Sequence, residues 1–411
     1  MARQTGVNVN KLEGGLGRQN DSTDNHFAII GSIPPALLSL LPSVEENKAI
    51  ELNELGDLEA KGFNEAFDAN NKLLVHYHVS EYFRLAPDAR LYFIPTITQT
   101  ITEVIPQIIP TIRDNSTIKG IGFIGFTDKL SGLNIDALQA SLVDAFTKEN
   151  RDIDCVLLEA LPDGEAFSIN DLPDLREKKG ANISVIIGQD PAIAALDTEY
   201  KHHACIGSAL GMLAVRSISE NLGSVNIEIK PRDKRSWSDY PLTDTSSDRW
   251  LDAALSDGTP IGEISKTNLK TLTTNKGYIL AAGYEGYAGI FFTGSTTAIE
   301  KASDYSTIEN NRVWNAGKRA IRAALIPYVK GKVKKDPQTG FIAATTVAQW
   351  QGACNKALDE MNTAGHISGY DVNINREQVV NSDSPVKVRV LLVANGIVHE
   401  FDVDLGLTNN I

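Results

Sequence analysis

The sequence has few cysteines and no place to use them in pairs. Cys155, Cys205 and Cys354 are far apart and odd in number. That excludes a disulfide framework or a clustered zinc site, and predicts three small buried side chains in a reducing compartment. Long apolar runs are also missing. The most apolar early stretch, 28–41, contains Pro34 and Pro35 and is too short to span a bilayer. The first twenty residues are polar and Gly-rich, with no apolar h-region, so no signal peptide is expected. Positive charge is scarce too: 39 Lys and Arg stand against 52 Asp and Glu, a net charge of −13. A nonspecific nucleic-acid binder needs the opposite sign to neutralise phosphates. Gly-x-Ser-x-Gly, His-Glu-x-x-His and Walker motifs are all absent. These absences predict a soluble protein with no metal, no nucleic acid and no membrane insertion, and leave no standard motif to which catalysis or a cofactor could be assigned.

What is present is globular. The chain has 411 residues, 42% apolar and 22% charged, enough for two or three domains. Residues 5–12 alternate apolar and polar side chains, with Val7, Val9 and Leu12 in step, and a run with Gly14, Gly15 and Gly17 follows. A short strand on a Gly-rich tether buries little by itself. It needs a sheet edge, which another subunit can offer. From about 27 to 225 strands alternate with helices: strands at 27–30, 91–94, 121–126, 153–158 and 183–187, helices at 134–148 and 203–219. That order predicts an α/β layer with a largely parallel sheet. Residues 226–270 are polar and read as a connecting or inserted region with a short helix near 248–255. From about 271 a second unit is expected: paired strands at 277–282 and 288–292, helices at 306–326 and 345–362, then strands at 370–374, 386–393 and 397–405. Asn395-Gly396 between the last two is a strong hairpin signal.

Three clusters invite chemistry. Gly120, Gly122 and Gly125 match a dinucleotide fingerprint and are the basis of an alternative reading as an α/β enzyme or nucleotide-binding protein. They lie inside the apolar run with no helix opening after them, which favours a buried Gly-rich strand. His76 and His78 share a face if the segment is a strand, and His202 and His203 are adjacent; no carboxylate or cysteine is placed close enough in sequence to complete a metal site with either pair. The third cluster is charge. Between 310 and 335 there are eight basic residues and no acidic one, so the rest of the chain carries −21. On a helix, Arg312, Asn315, Arg319 and Arg322 share one face, opposite Val313, Ala316, Ala320, Ile321 and Ala324. This reads as a docking stripe for an acidic protein partner.

The order of these segments resembles the contractile-tail sheath proteins, in the branch of Mu-like phages and related injection machines. The likeness rests on the leading arm ending Gly14-Gly15-Leu16-Gly17-Arg18, on residues 203–216 with Leu222 to Val225, on Gly277 through Asn315 with the helix behind it, and on the ending from Gly369 to Leu407. The resemblance implies a multi-domain α/β and α+β subunit: an exchange arm at 1–25, an outer α/β domain at 26–270, and an inner α+β domain at 271–411 whose C-terminal β arm starts near 385. It implies a homo-oligomer of stacked hexameric rings, strand exchange through Val7, Val9, Leu12, Val398, Phe401 and Val403, and tube contact through Arg312, Lys318, Arg319 and Arg322. Its partners would be further copies, a tail tube protein, and baseplate and terminator proteins. Its place would be a virion tail, or the bacterial cytoplasm during assembly.

Overall fold

The computed structural model describes residues 23–381 and 384–408. Six strands form the main sheet: β1 (Phe27–Ser32), β2 (Ile50–Leu52), β3 (Leu91–Thr96), β4 (Gly120–Ile124), β5 (Cys155–Glu159) and β6 (Ile183–Ile186). Their order is β2-β3-β1-β4-β5-β6, parallel throughout except for β2, which runs against β3. Strands β1 and β3 to β6 are buried at every position, because helices cover both faces.

On one face lie α1 (Val75–Leu85) and, later in the chain, α3 (Ile206–Val215); on the other lie α2 (Ile101–Asp114) and the helical run from 135 to 148. Small residues let α3 sink between α1 and the sheet. A Cβ on Gly207 would lie 2.0 Å from the His78 carbonyl oxygen, and one on Gly122 would lie 2.4 Å from Ile206 Cγ2. Helix α2 contains Pro106 and Pro110, which both face solvent. It forms because Ile101, Val104, Ile105, Ile108 and Ile112 are buried on its other side, which outweighs the backbone bonds the prolines remove.

The segment from 271 to 300 does not open the second unit. Leu272, Tyr278, Ile279, Leu280 and Ala298 are buried in the α/β cores, and Ile279 bridges Ile186 in parallel, with Ile187 N–H donating to the Ile279 carbonyl at 2.8 Å. A hairpin of β7 (Ala281–Tyr284) and β8 (Tyr287–Phe292) then projects from this body. The C-terminal module therefore starts with α4 (Ile308–Leu325) and continues through α5 (Ala344–Thr363), β9 (Ile367–Asn373) and β10 (Arg389–Ala394). Its cores are small: Val313, Leu358, Met361 and Ile367 form one together with Ile218 of the body, Ile342, Val347, Trp350 and Ile374 another.

Two local expectations fail for clear reasons. Residues 248–255 are not a helix: Asp248 and Trp250 have φ of 54° and 52°, and Trp250 is fully buried with its N–H donated to Asp190. The last hairpin is also absent. Strand β10 pairs with β9 instead, and residues 395–408 form no strand.

Candidate functional site

The exposed basic stripe expected on α4 is not a free surface. Arg312 is 0% exposed; its guanidinium reaches the Leu213 carbonyl and the Asn25 side chain and lies over the Phe27 ring. Asn315 is buried and donates to Asp154 at 2.8 Å. Arg319 pairs with Asp24 at 2.8 Å and Asp154 at 3.2 Å, and Lys318 with Asp152 at 2.7 Å. The apolar side of α4 packs on the C-terminal core through Val313, Ala316, Ala320 and Ile321. Both sides of the helix are therefore used: the basic residues form the seam that joins the module to the start of β1 and β5. Burial pushes the Asp154 carboxyl up to about 6, against the pull of Arg319 and Arg312. Of the four candidate residues, Arg322 alone is exposed; Lys330, Lys332, Lys334 and Lys335, further along, are exposed as well.

Gly120 and Gly122 lie within β4 rather than in a turn that opens a helix. Gly120 and Gly122 are glycines because Phe27, Cys155, Ile206 and Leu210 occupy the space beside them. The sheet order reverses at β1, and the crevice outside β1, β4 and β5 is where an α/β sheet would hold a ligand. Three of the polar groups that line it, Glu159, His78 and His203, turn to the protein's own backbone. Glu159 accepts N–H groups from Gly125 at 3.2 Å and Ala204 at 2.7 Å, and burial raises its carboxyl to about 7. His78 accepts from Gly207 N–H at 3.2 Å and is pushed down to about 3 by burial; His203 is lowered to about 4 for the same reason, and its Nδ1 sits 2.7 Å from the Tyr200 carbonyl. His76 and His78 share a helix rather than a strand, so they diverge; His76 pairs with Glu59. Among the described residues no group of three His, Cys, Asp or Glu could hold a metal. The three cysteines are free and buried, and burial pushes the Cys155 thiol up to about 12.

The feature left without an internal role is the end of the chain. Strand β10 pairs only with β9 among the described residues, so its other edge is open. Beside that edge, facing α4, lies a groove of about 720 Å³ lined by Val313, Trp314, Ile321, Val390 and Leu392 and rimmed by Lys318 and Arg322. A second apolar groove, about 700 Å³, is lined by Val388, Val386, Leu325, Tyr328 and Val329. From Gly396 to Thr408 the chain is a largely exposed arm without strand or helix. Phe401 is 83% and Leu405 94% exposed, and Val398 and Val403 are exposed likewise. Its odd positions from Ile397 to Leu407 are apolar except His399, and Glu400, Asp402 and Asp404 alternate with them. Val7, Val9 and Leu12 lie outside the described residues. The sequence reading missed the receiving side of this arrangement. Its signal was the even-numbered run Val386, Val388, Val390 and Leu392, alternating with Lys387 and Arg389.

An open sheet edge beside an apolar groove, next to an arm of matching period, is equipment for strand addition. Residues 4–296 match the family model described as DUF2586, N-terminal domain, and residues 304–411 match DUF2586, C-terminal domain. The interval between the two falls just before α4. No curated protein matches the chain. Among solved structures, it is similar to a chain of the anti-feeding prophage helical sheath in its contracted state, with a TM-score of 0.59, 15% identity and all of both chains covered. It is equally similar to chains of the anti-feeding prophage baseplate. In the 6-fold symmetrised baseplate the TM-score is 0.59 at 13% identity over all of both chains; in the contracted baseplate it is again 0.59 at 13%, over 98% of this chain and 97% of that one. The mixed α/β architecture is thus shared end to end with chains of these assemblies.

Proposed function

The chain belongs to the DUF2586 family, and on that footing we propose that it is a structural subunit of a contractile injection machine, of the sheath type. The observation that carries this is the open edge of β10 with an exposed arm beside it, on a fold matched along its whole length by a sheath chain. Copies would stack in rings around a tail tube. Each would lend its arms, including Val398, Phe401 and Val403 at one end and Val7, Val9 and Leu12 at the other, to the sheets of its neighbours. Strand exchange keeps such a lattice connected while bodies rotate between two packings, and the difference in packing free energy supplies the work. The subunit needs no phosphate loop for this.

We accordingly assign the proposed tube contact to the basic residues that remain exposed. Arg312, Lys318 and Arg319 hold the seam, so the face offered to an acidic tube is Arg322 with the exposed lysines from 330 to 335. Such a contact weakens with salt, because exposed charges are screened over about 10 Å at 0.1 M.

Electron microscopy of the purified full chain tests the reading. Hollow cylinders at high concentration are expected, and removal of residues 397–411 should abolish them while the urea midpoint of the α/β body stays unchanged. A second reading is favoured by the equal likeness to baseplate chains: closed discs that never elongate would assign the chain to the baseplate. A chain that remains single-copy at every concentration and on added tubes would overturn both.

A further inference from the structure

Asn395-Gly396 is the strong turn signal that the structure leaves unused, and it stands between the open edge and the arm. A two-residue turn at these positions would fold the arm back on β10 in one register. Ala394 would face Ile397, Val393 would face Val398, and so on outward. In that register Val390 meets Phe401, and both point to the face that packs on α4. Arg389 meets Asp402, and one step further Lys387 meets Asp404: two opposite-charge cross-strand pairs on the outer face. Continued beyond the strand, the same register brings Val403 beside Val388 and Leu405 beside Val386, over the second groove. Phe401 falls over the first, which Val390 and Trp314 line. Shifting the register by one residue would turn the apolar face outward and separate both charge pairs.

We propose that residues 397–405 close in cis onto the edge of their own β10, so that the unassembled subunit is self-capped and must open to exchange strands. The open state is the one described above. In it neither Asn395 nor Gly396 has a positive φ, whereas the tight hairpin turn needs φ > 0 at both. In the open state Asn395 is held by its side chain, which donates to the Gly365 carbonyl at 2.7 Å and accepts from Ser368 at 2.8 Å. The two residues thus act as a hinge with two settings. The cis setting has the advantage of effective concentration, since the arm is tethered to its groove by two residues. The trans setting is favoured as neighbouring edges accumulate. Closure would limit polymerisation at low copy number and protect an apolar arm from irregular pairing.

Two experiments on the full chain decide this, and neither depends on the identity of the machine. The first is a paired substitution, Val393→Cys with Val398→Cys, in dilute protein mixed with an isotopically labelled copy. The native thiols are buried and do not compete. Oxidation should give a 393–398 disulfide within one copy, with no mixed-isotope cross-link, in most of the single-copy fraction. Cross-links only between copies, or none in a variant that folds normally, would overturn the inference. The second is Gly396→Ala. A Cβ there meets nothing within 4 Å and its φ is ordinary in the open state, so the substitution penalises only the turn. The threshold concentration for assembly should fall about five- to tenfold, as expected from a residue barred from positive φ. An unchanged threshold in a chain that assembles would overturn the proposal. If the chain does not assemble at all, the first experiment still decides the matter, and only the sheath reading falls.

Discussion

The α/β body and the C-terminal module solve the same problem in opposite ways. In the body, the sheet is covered on both faces and its edges are short or joined: the edge strand β2 is only three residues long, and the far side of β6 is joined by Ile279. The module instead has a two-stranded sheet, one open edge, Leu391 and Val393 exposed on its outer face, and an arm whose side chains from Val398 to Leu407 are largely exposed. A two-stranded sheet is marginal unless something covers it. The difference teaches where each part takes its stability from. The body is complete within one chain, whereas the module has reserved surface for a strand that is not yet there.

The largest effect on this contrast should come from filling the contact between α1 and α3. Gly207→Val places carbon atoms where the His78 carbonyl stands, and should destabilise the body by about 3 kcal/mol or more, or prevent folding, in urea titration. A matched insertion at Gly396 should leave the urea midpoint of the body unchanged. Next in size is the seam. Arg312→Leu removes the partner of Asn25 and leaves the buried Asp154 less compensated; a loss of about 3 kcal/mol is expected. Titration of the body sharpens the contrast further. Glu159, Asp68 and Asp154 have folded values of about 7, 6 and 6, above their unfolded values. Their folded forms bind protons more tightly, so the stability they contribute is present at low pH and is lost as pH rises through 6 to 7. Burial of His78 and His203, lowered to about 3 and 4, works the other way: stability falls as pH drops below about 6.5. Comparing the parent with Glu159→Gln isolates one carboxyl. The parent should lose roughly 2–3 kcal/mol relative to the variant between pH 4.5 and 7.5, and nothing more above that. The smallest effect belongs to Arg322→Ala, under about 0.5 kcal/mol on stability because the side chain is exposed. Its effect on tube binding at low salt should be larger than its effect on folding.

Much of the body could be read from the sequence, since β1, β3, β4, β5 and β6 are mostly apolar runs and a parallel sheet buried on both faces requires such runs. The module's helices also followed their periodicity, α4 ending before Pro327 and α5 before Gly365. Helix α2 was hidden because Pro106 and Pro110 read as breakers, and their position on the solvent side becomes visible only once the buried isoleucines are placed. The seam was hidden for a different reason. Periodicity showed that α4 has a basic face, but Asn25 and Asp154, which meet it, lie 287 and 165 residues away from Arg312 and Arg319. A charged face looks the same in sequence whether water or a distant carboxylate completes it. At the arm, the sequence pattern described a hairpin and the structure an open chain, and the register shows that both are compatible with the same residues.

The residues that precede β1 have one more consequence. Asp24 and Asn25 are gripped by Arg319 and Arg312, and Asn25 also donates to the Ala214 carbonyl. β1 is a central strand, so unzipping it would tear the sheet in two. Tension applied to the chain ahead of Asp24 is borne by these guanidinium contacts before it reaches that strand. The load passes sideways into α4, and the centre of the fold is spared the first strain.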